Sequence, residues 1–178
     1  YQTGYITIKS ITREYIEEIY KLGFPNKEVK NAFLNHLLGS FIEKQSYEIE
    51  PLTRRMLISL REEKIEEFIR ILRGMISGIP SKLHLKHEYY YQSIFYMIMA
   101  LMGMKVNLEV PTDKGQIDGV LELEEKIYII EFKMGEVEKA IKQIKDKKYY
   151  EQYLNSKKKI YLLGVGGFEK KELEYVIN

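Results

Sequence analysis

Two periods of hydrophobic and polar positions alternate along this chain. Residues 1–10 alternate weakly, with Tyr5, Ile6 and Ile8 strand-like, and Ile11, Tyr15, Ile19 and Leu22 fit either a helix or a loose strand. Gly23-Phe-Pro-Asn26 reads as a turn, and Asn26 is placed to cap a helix beginning at Lys27. Val29, Phe33, Leu37 and Phe41 predict that helix over 27–44. Pro51 is expected to break the pattern. Met56, Leu60, Ile65, Phe68 and Leu72 predict one long helix over 52–75, stopped by Gly74, Gly78 and Pro80. The character changes at His84. Residues 85–102 read as a buried helix stopped by Gly103, and 104–110 as a strand ended by Pro111. Residues 115–123 and 126–133 read as a hairpin, and 136–154 as an amphipathic helix. Residues 159–165 form a buried strand with Gly164, Gly166 and Gly167 at its exit, and 172–177 a last short strand or helical turn. From His84 the order is therefore helix, three strands, helix, strand, without repeats or low-complexity segments.

The hairpin carries the chemistry. Side chains alternate faces along a strand, so Ile127, Ile129, Glu131 and Lys133 share one face, an apolar row that ends in a carboxylate and an amine. With a turn centred on Glu124-Glu125, Leu123 opposes Lys126, and the same register sets Asp118 opposite Glu131. A slip of one residue would turn Asp118 to the other face. Directly opposed like charges are destabilising, so two acids meeting there call for an offset, for which a divalent cation is the obvious candidate.

Composition narrows the class. A chain of 178 residues suits one domain, or one domain with a helical appendage, and 45% hydrophobic content supports a real core. The formal charge of +2 excludes a polycation, so contact with nucleic acid must come from local clustering. The absence of cysteine excludes a disulfide scaffold and thiolate metal sites, and fits a reducing, cytoplasmic setting. No signal peptide and no membrane-spanning apolar run is present. The chain opens at Tyr1 rather than Met and reads as a piece of something longer.

Further positions bear on the acids. Glu88, Tyr91, Phe95, Ile98 and Met102 fall on one helical stripe, with Gln92 a turn beyond Glu88. An inward carboxylate is costly unless paired or bound to metal, yet Glu88 reads equally as a first-turn acid favoured by the helix dipole. Ala140, Gln143, Lys147 and Tyr150 form a second stripe, on which Gln143 reads equally as a boundary polar residue. His84 and His87 neighbour Glu88, but nothing else supports a histidine metal site. Oxygen donors without His or Cys favour Mg²⁺ or Mn²⁺, and phosphodiester hydrolysis uses such an ion to activate water and stabilise developing charge. Lys133 would then orient or deprotonate the attacking water, or neutralise charge. Between 131 and 159 nine lysines stand against five acids, which fits a phosphate-backbone binder as well as a solvated face.

Asp118, then Glu131-Phe-Lys133 at a strand end, resembles the PD-(D/E)XK nuclease superfamily, and the order of elements from His84 resembles its core. More narrowly, Gln116-Ile-Asp-Gly119, Tyr128-Ile-Ile-Glu-Phe-Lys133 and Ala140-Ile-Lys-Gln-Ile144, with Tyr1-Gln-Thr-Gly-Tyr5 and Gly23-Phe-Pro-Asn-Lys-Glu-Val29, resemble a microbial family of two-part proteins. In that family an AAA-ATPase-like domain precedes a nuclease-like one. The resemblance implies an α/β (α+β) fold with a restriction-endonuclease-like core around a mixed sheet at 81–178. Before it stands a mostly helical linking region at 1–80. The ATP-binding part is absent, since no phosphate-binding glycine loop occurs. Carried over by position, Asp118 and Glu131 are implied as metal ligands with the Phe132 carbonyl and Glu88. Lys133 is implied as the catalytic lysine and Gln143 as a polar site residue. Apart from the resemblance, the lysine-rich stretch and the second stripe make Lys139, Lys142, Lys147 and Tyr150 candidate contacts to nucleic acid. The expected activity is Mg²⁺- or Mn²⁺-dependent nucleic-acid hydrolysis, with DNA favoured as substrate. The alternative is a catalytically silent nuclease-fold module that binds nucleic acid or protein beside its ATPase.

Overall fold

A computed structural model describes residues 4–14, 17–79, 87–104, 106–167 and 174–177. His84, Pro80, Tyr15 and the expected division near residue 80 lie outside the described residues. An antiparallel ribbon opens the chain, β1 (Thr7–Glu14) with β2 (Glu17–Gly23), so 11–22 takes its strand alternative. Three helices come next: α1 (Lys27–Ile42), α2 (Ser46–Arg61) and α3 (Ile65–Ser77). Asn26 caps α1, its carboxamide oxygen accepting the Val29 N–H at 2.8 Å.

Three expectations for this region fail. Pro51 does not precede a helix but lies within α2, on its exposed face. One backbone donor is lost there, while Ile49, Thr53, Met56 and Leu60 bury the opposite face. Nor is 52–75 one helix. Glu63 takes a left-handed backbone (φ 62°), the Lys64 N–H reaches the Ser59 carbonyl at 2.8 Å, and the chain turns so that α3 packs on α2. On α1 the most buried residues are Leu34, Leu38 and Ile42, each one position beyond the expected stripe. Phe33, Leu37 and Phe41 are only partly buried.

The remainder is α4 (Glu88–Leu101), β3 (Val106–Thr112), β4 (Gly115–Glu122), β5 (Lys126–Phe132), α5 (Val137–Asp146), β6 (Lys159–Gly166) and β7 (Glu174–Ile177). The sheet order is β3-β4-β5-β6-β7. β5 and β6 run parallel and the other pairs antiparallel, giving a mixed sheet in an α/β fold of restriction-endonuclease-like type. Pro111 continues β3 instead of ending it, because β3 is an edge strand. Residues 136–154 are not one helix: α5 stops at Asp146, Lys148 is left-handed (φ 52°), and Glu151–Ser156 is a 3₁₀ turn. Among the described residues no helix is long and apolar enough to cross a membrane.

The sheet is covered on both faces. Tyr128, Ile130, Phe132, Leu163 and Val165 join the apolar faces of α1–α4 in one core. Ile127, Ile129 and Leu162 meet Ile141 and Ile144 of α5 on the other side. The loop between α2 and α3 is tied to the sheet: Glu63 takes Lys126 at 3.1 Å and Lys159 at 2.8 Å, and the Tyr128 hydroxyl donates to the Leu60 carbonyl at 2.9 Å. α5 approaches β6 closely because Gly164 has no side chain. A Cβ there would lie 3.0 Å from both the Ala140 Cβ and the Ile141 Cγ1, and 3.1 Å from the Val137 carbonyl oxygen. Gly164→Ala is therefore expected to push α5 from the sheet and destabilise the chain by about 1–3 kcal/mol, as overpacking does. Urea denaturation measures this, and a loss below about 0.5 kcal/mol would show that α5 yields freely.

Candidate active site

The hairpin register is the expected one. Gly119↔Ile130, Val120↔Ile129, Leu121↔Tyr128 and Glu122↔Ile127 pair, and the Leu123 N–H donates to the Lys126 carbonyl at 2.8 Å across the turn. The ladder stops one step short of the Asp118/Glu131 position. On the other side of β4, the pairing with β3 skips Glu109, which is left-handed (φ 51°), opposite Asp118. β4 thus bends at Asp118. Ile117 consequently joins the α5 cluster together with Val120, although the two stand an odd three positions apart, a spacing that a regular strand would turn to opposite faces. The Asp118 carboxylate fills the gap: its Oδ2 accepts the Phe132 N–H at 2.8 Å. A side chain replaces a backbone carbonyl in the ladder, which pins the acid beside Glu131.

Glu131 is 1% exposed. Its Oε1 accepts from the Lys133 ammonium at 3.2 Å and from the Gln143 amide of α5. Its Oε2 is buried and has no hydrogen-bond partner among the described residues. Glu88, the first residue of α4, accepts the Met134 N–H at 3.3 Å on Oε1, and its Oε2 lies 3.7 Å from the Lys133 ammonium. Asp118, Glu131, Lys133, Glu88 and Gln143 are therefore brought together, each of the two helices supplying one side chain. Gln92, 6% exposed on α4, stands near Asp118 and pulls its carboxyl down weakly, the least of the influences on it. Sequence reasoning noted its place a turn beyond Glu88 but gave it no role. Its signal was a polar residue in an otherwise apolar helix, on the stripe that carries the acid.

Burial sets the electrostatics. It raises the Glu131 carboxyl, helped by the Asp118 charge and only partly opposed by Lys133, to about 7. Burial also raises Asp118, against the pull of the Phe132 N–H and Lys133. For Lys133, burial alone would lower the ammonium, but Glu131, Glu88 and Asp118 outweigh it and the net shift is upward.

The arrangement offers a cation two adjacent carboxylates, one with an unused buried oxygen. That donor set suits a hard divalent ion. Among the described residues no three His, Cys, Asp or Glu side chains group closely enough to hold a metal by themselves, so further ligands would be a backbone carbonyl or water. Glu88 is committed to Met134 and Lys133 instead. Of the expected nucleic-acid contacts, Lys139 pairs with Glu136 at 3.0 Å and Lys142 is exposed. Lys147 caps α5 one turn beyond Gln143. Tyr150 leaves the stripe, because the left-handed Lys148 turns the chain, and packs against the α5 cluster.

Comparison with known proteins agrees with this geometry. A family model described as PD-(D/E)XK nuclease superfamily matches residues 86–176. An uncharacterized protein from the vnfD 5′ region of Azotobacter chroococcum mcd 1 is 30% identical over 173 residues, 93% of this chain and 33% of that protein. The chain thus spans about a third of the length of the curated relative it matches. No solved structure matches.

The buried acid makes stability depend on pH. A carboxyl whose folded pKa is raised binds its proton more tightly in the folded state. Its contribution is complete below the unfolded value and is lost as pH climbs through the folded one. In EDTA, stability should therefore fall by on the order of 2–3 kcal/mol between pH 4.5 and 7, the worth of a shift from the ordinary range to about 7. Glu131→Gln should flatten that slope in urea titrations. An equal slope in the variant would place the linkage elsewhere.

Proposed function

Because the chain belongs to the PD-(D/E)XK nuclease superfamily, we propose that it is a metal-dependent phosphodiester hydrolase acting on nucleic acid, with DNA as the favoured substrate. The observation that carries the proposal is the buried, unpartnered Oε2 of Glu131 beside the pinned carboxylate of Asp118. Desolvating a carboxylate oxygen without a hydrogen bond costs free energy. A cation at that oxygen turns the cost into affinity.

In this reading Asp118, Glu131 and the Phe132 carbonyl would hold Mg²⁺ or Mn²⁺ together with water, while Glu88 stays on the Met134 N–H and beside the Lys133 ammonium. When bound, such an ion supplies an activated water and offsets charge on the phosphate. The chain's own residues do the rest. Gln143 fixes the Glu131 carboxylate by donating to Oε1, which leaves Oε2 turned to the ligand. Lys133, suspended between Glu131 and Glu88, presents its ammonium to the attacking water or to a phosphate oxygen. The Phe132 N–H keeps Asp118 from turning away. The domain division at about residue 80 and an ATPase-like part in the same full-length protein belong to the proposal as well.

Purified chain with Mn²⁺ or Mg²⁺ should cleave plasmid or linear DNA. Asp118→Ala, Glu131→Ala and Lys133→Ala should each reduce the rate by about 10²-fold or more, as loss of an electrostatic stabiliser does. Calorimetry should show Mn²⁺ uptake that Glu131→Ala removes. Wild type and variants behaving alike on DNA and RNA would end the hydrolytic reading. Salt-dependent nucleic-acid binding without metal uptake would instead favour the silent binding module.

A further inference from the structure

A second polar cluster lies outside the acids, where the tip of the β3–β4 hairpin meets the end of α5. A cleft of about 260 Å³ there is lined by Lys114, Lys147, Lys148 and Tyr149, and by two carboxylates, Asp113 and Glu151, among others. Tyr149 is 2% exposed, and its hydroxyl is buried with no hydrogen-bond partner among the described residues. The Lys147 ammonium lies 5.8 Å from the centre of the Tyr149 ring and, among the described residues, has no carboxylate within ion-pair distance. Both polar atoms converge on Gly115, where a Cβ would come 2.8 Å from the Lys147 Nζ and 3.2 Å from the Tyr149 hydroxyl. On the rim, Lys114 and Lys148 share the single Glu151 carboxylate, at 3.5 and 3.2 Å.

An unpaired ammonium and an unsatisfied hydroxyl donor, side by side in a cleft with lysines at its rim, are the complement of an oxyanion. We propose that Lys147 and Tyr149 form a subsite for a backbone phosphodiester of the substrate strand, two or three nucleotides from the phosphate that is hydrolysed. The proposal rests on the nuclease reading and names a contact for it. The two sites are joined along two elements. Gly115 precedes Asp118 by three residues of β4, about 10 Å of strand, and Lys147 lies one turn of α5 beyond Gln143, about 6 Å. At about 3.4 Å of helix axis per phosphate along one strand, that span covers two or three nucleotides. Tyr149 donates its hydroxyl hydrogen to a phosphate oxygen. The flexible arm of Lys147, which lies over the ring in the free protein, supplies the charge-assisted bond.

Fluorescence anisotropy on the full chain in EDTA tests this without turnover, with labelled 20-mer oligonucleotides bearing either a 5′-hydroxyl or a 5′-phosphate. Lys147→Gln is expected to weaken binding about 5- to 10-fold and to reduce the salt slope by about one. Tyr149→Phe, which keeps the ring in its packing, should weaken it about 3-fold. Lys9→Gln on the β1–β2 ribbon makes the same change in net charge and should leave the slope unchanged. Equal losses with both oligonucleotides support the backbone assignment, and a loss confined to the 5′-phosphate overturns it. Wild-type affinity and slope in both variants, beside normal cleavage by the wild type, would end the subsite and spare the nuclease. Weakened binding in both variants, beside no cleavage by the wild type with Mn²⁺ or Mg²⁺, would do the reverse.

Discussion

The pairing of Asp118 and Glu131 across β4 and β5 constrains much of what surrounds it. An ordinary antiparallel ladder would carry two opposed carboxylates only at a penalty, and one of this pair is 1% exposed. The protein does not remove that conflict but distributes it. The ladder is opened at Asp118, the Phe132 N–H is handed to that carboxylate, and Glu131 keeps one oxygen for Lys133 and Gln143. The other oxygen is left over. A structure built only for stability would have no use for such an atom, since a buried acid of this kind loses free energy as soon as it ionises.

The groups around the pair arrive from three layers, which is why the fold matters to the site. α4 brings Glu88 and Gln92 from the bundle side. α5 brings Gln143 from the other, and the strand between them brings Lys133. Each helix is fixed by apolar contacts remote from the charges: α4 by Phe95, against Phe68 and Phe132, and α5 by Ile141 and Ile144 against Ile129 and Leu162. The α5 side tolerates little error, because Gly164 sits directly beside Glu131 in the parallel pairing and sets how near α5 can come. The helices before α4 share its core, so the apolar faces of α1–α3 help to hold Glu88 at the site without touching it.

Much of this was legible in the sequence, and the rest was hidden for identifiable reasons. The Asp118–Glu131 opposition comes from a short polar turn and from strands whose alternation leaves one register in which the apolar faces agree. The helix–three strands–helix–strand order comes from changes of period. Failures came where a single backbone angle decides the outcome. Glu63 and Lys148 adopt left-handed conformations that a charged residue gives no sign of adopting, and each divides what reads as one continuous helix. Pro51 misled in the opposite sense, because the face it occupies is exposed and the loss of one donor is outweighed by burial on the other side. The α1 stripe was misplaced by one residue because apolar residues nearly encircle that helix, so periodicity alone does not choose among them. Gln92 was visible as an amide among apolar residues, but its place beside the acids requires knowing where the Asp118 carboxylate lies.

The placement of positive charge is set by the same acid pair. In the proposed function, a polyanionic strand approaching two carboxylates would be repelled until a cation intervenes, and Lys133 already serves three acids. Further lysines at the centre would compete with the cation for the Glu131 oxygen, so the charge that attracts substrate has to stand at a distance from it. In the proposed function this falls to α5 and the hairpin tip, where Lys147 and Lys114 lie a few nucleotides' span from the acids. Neutralising the strand at its flank would let it approach closely without weakening the cation's claim on the carboxylates. It also means that the bend at Asp118, which carries the hairpin tip over α5, positions both the acid and the tip that meets the flanking lysines.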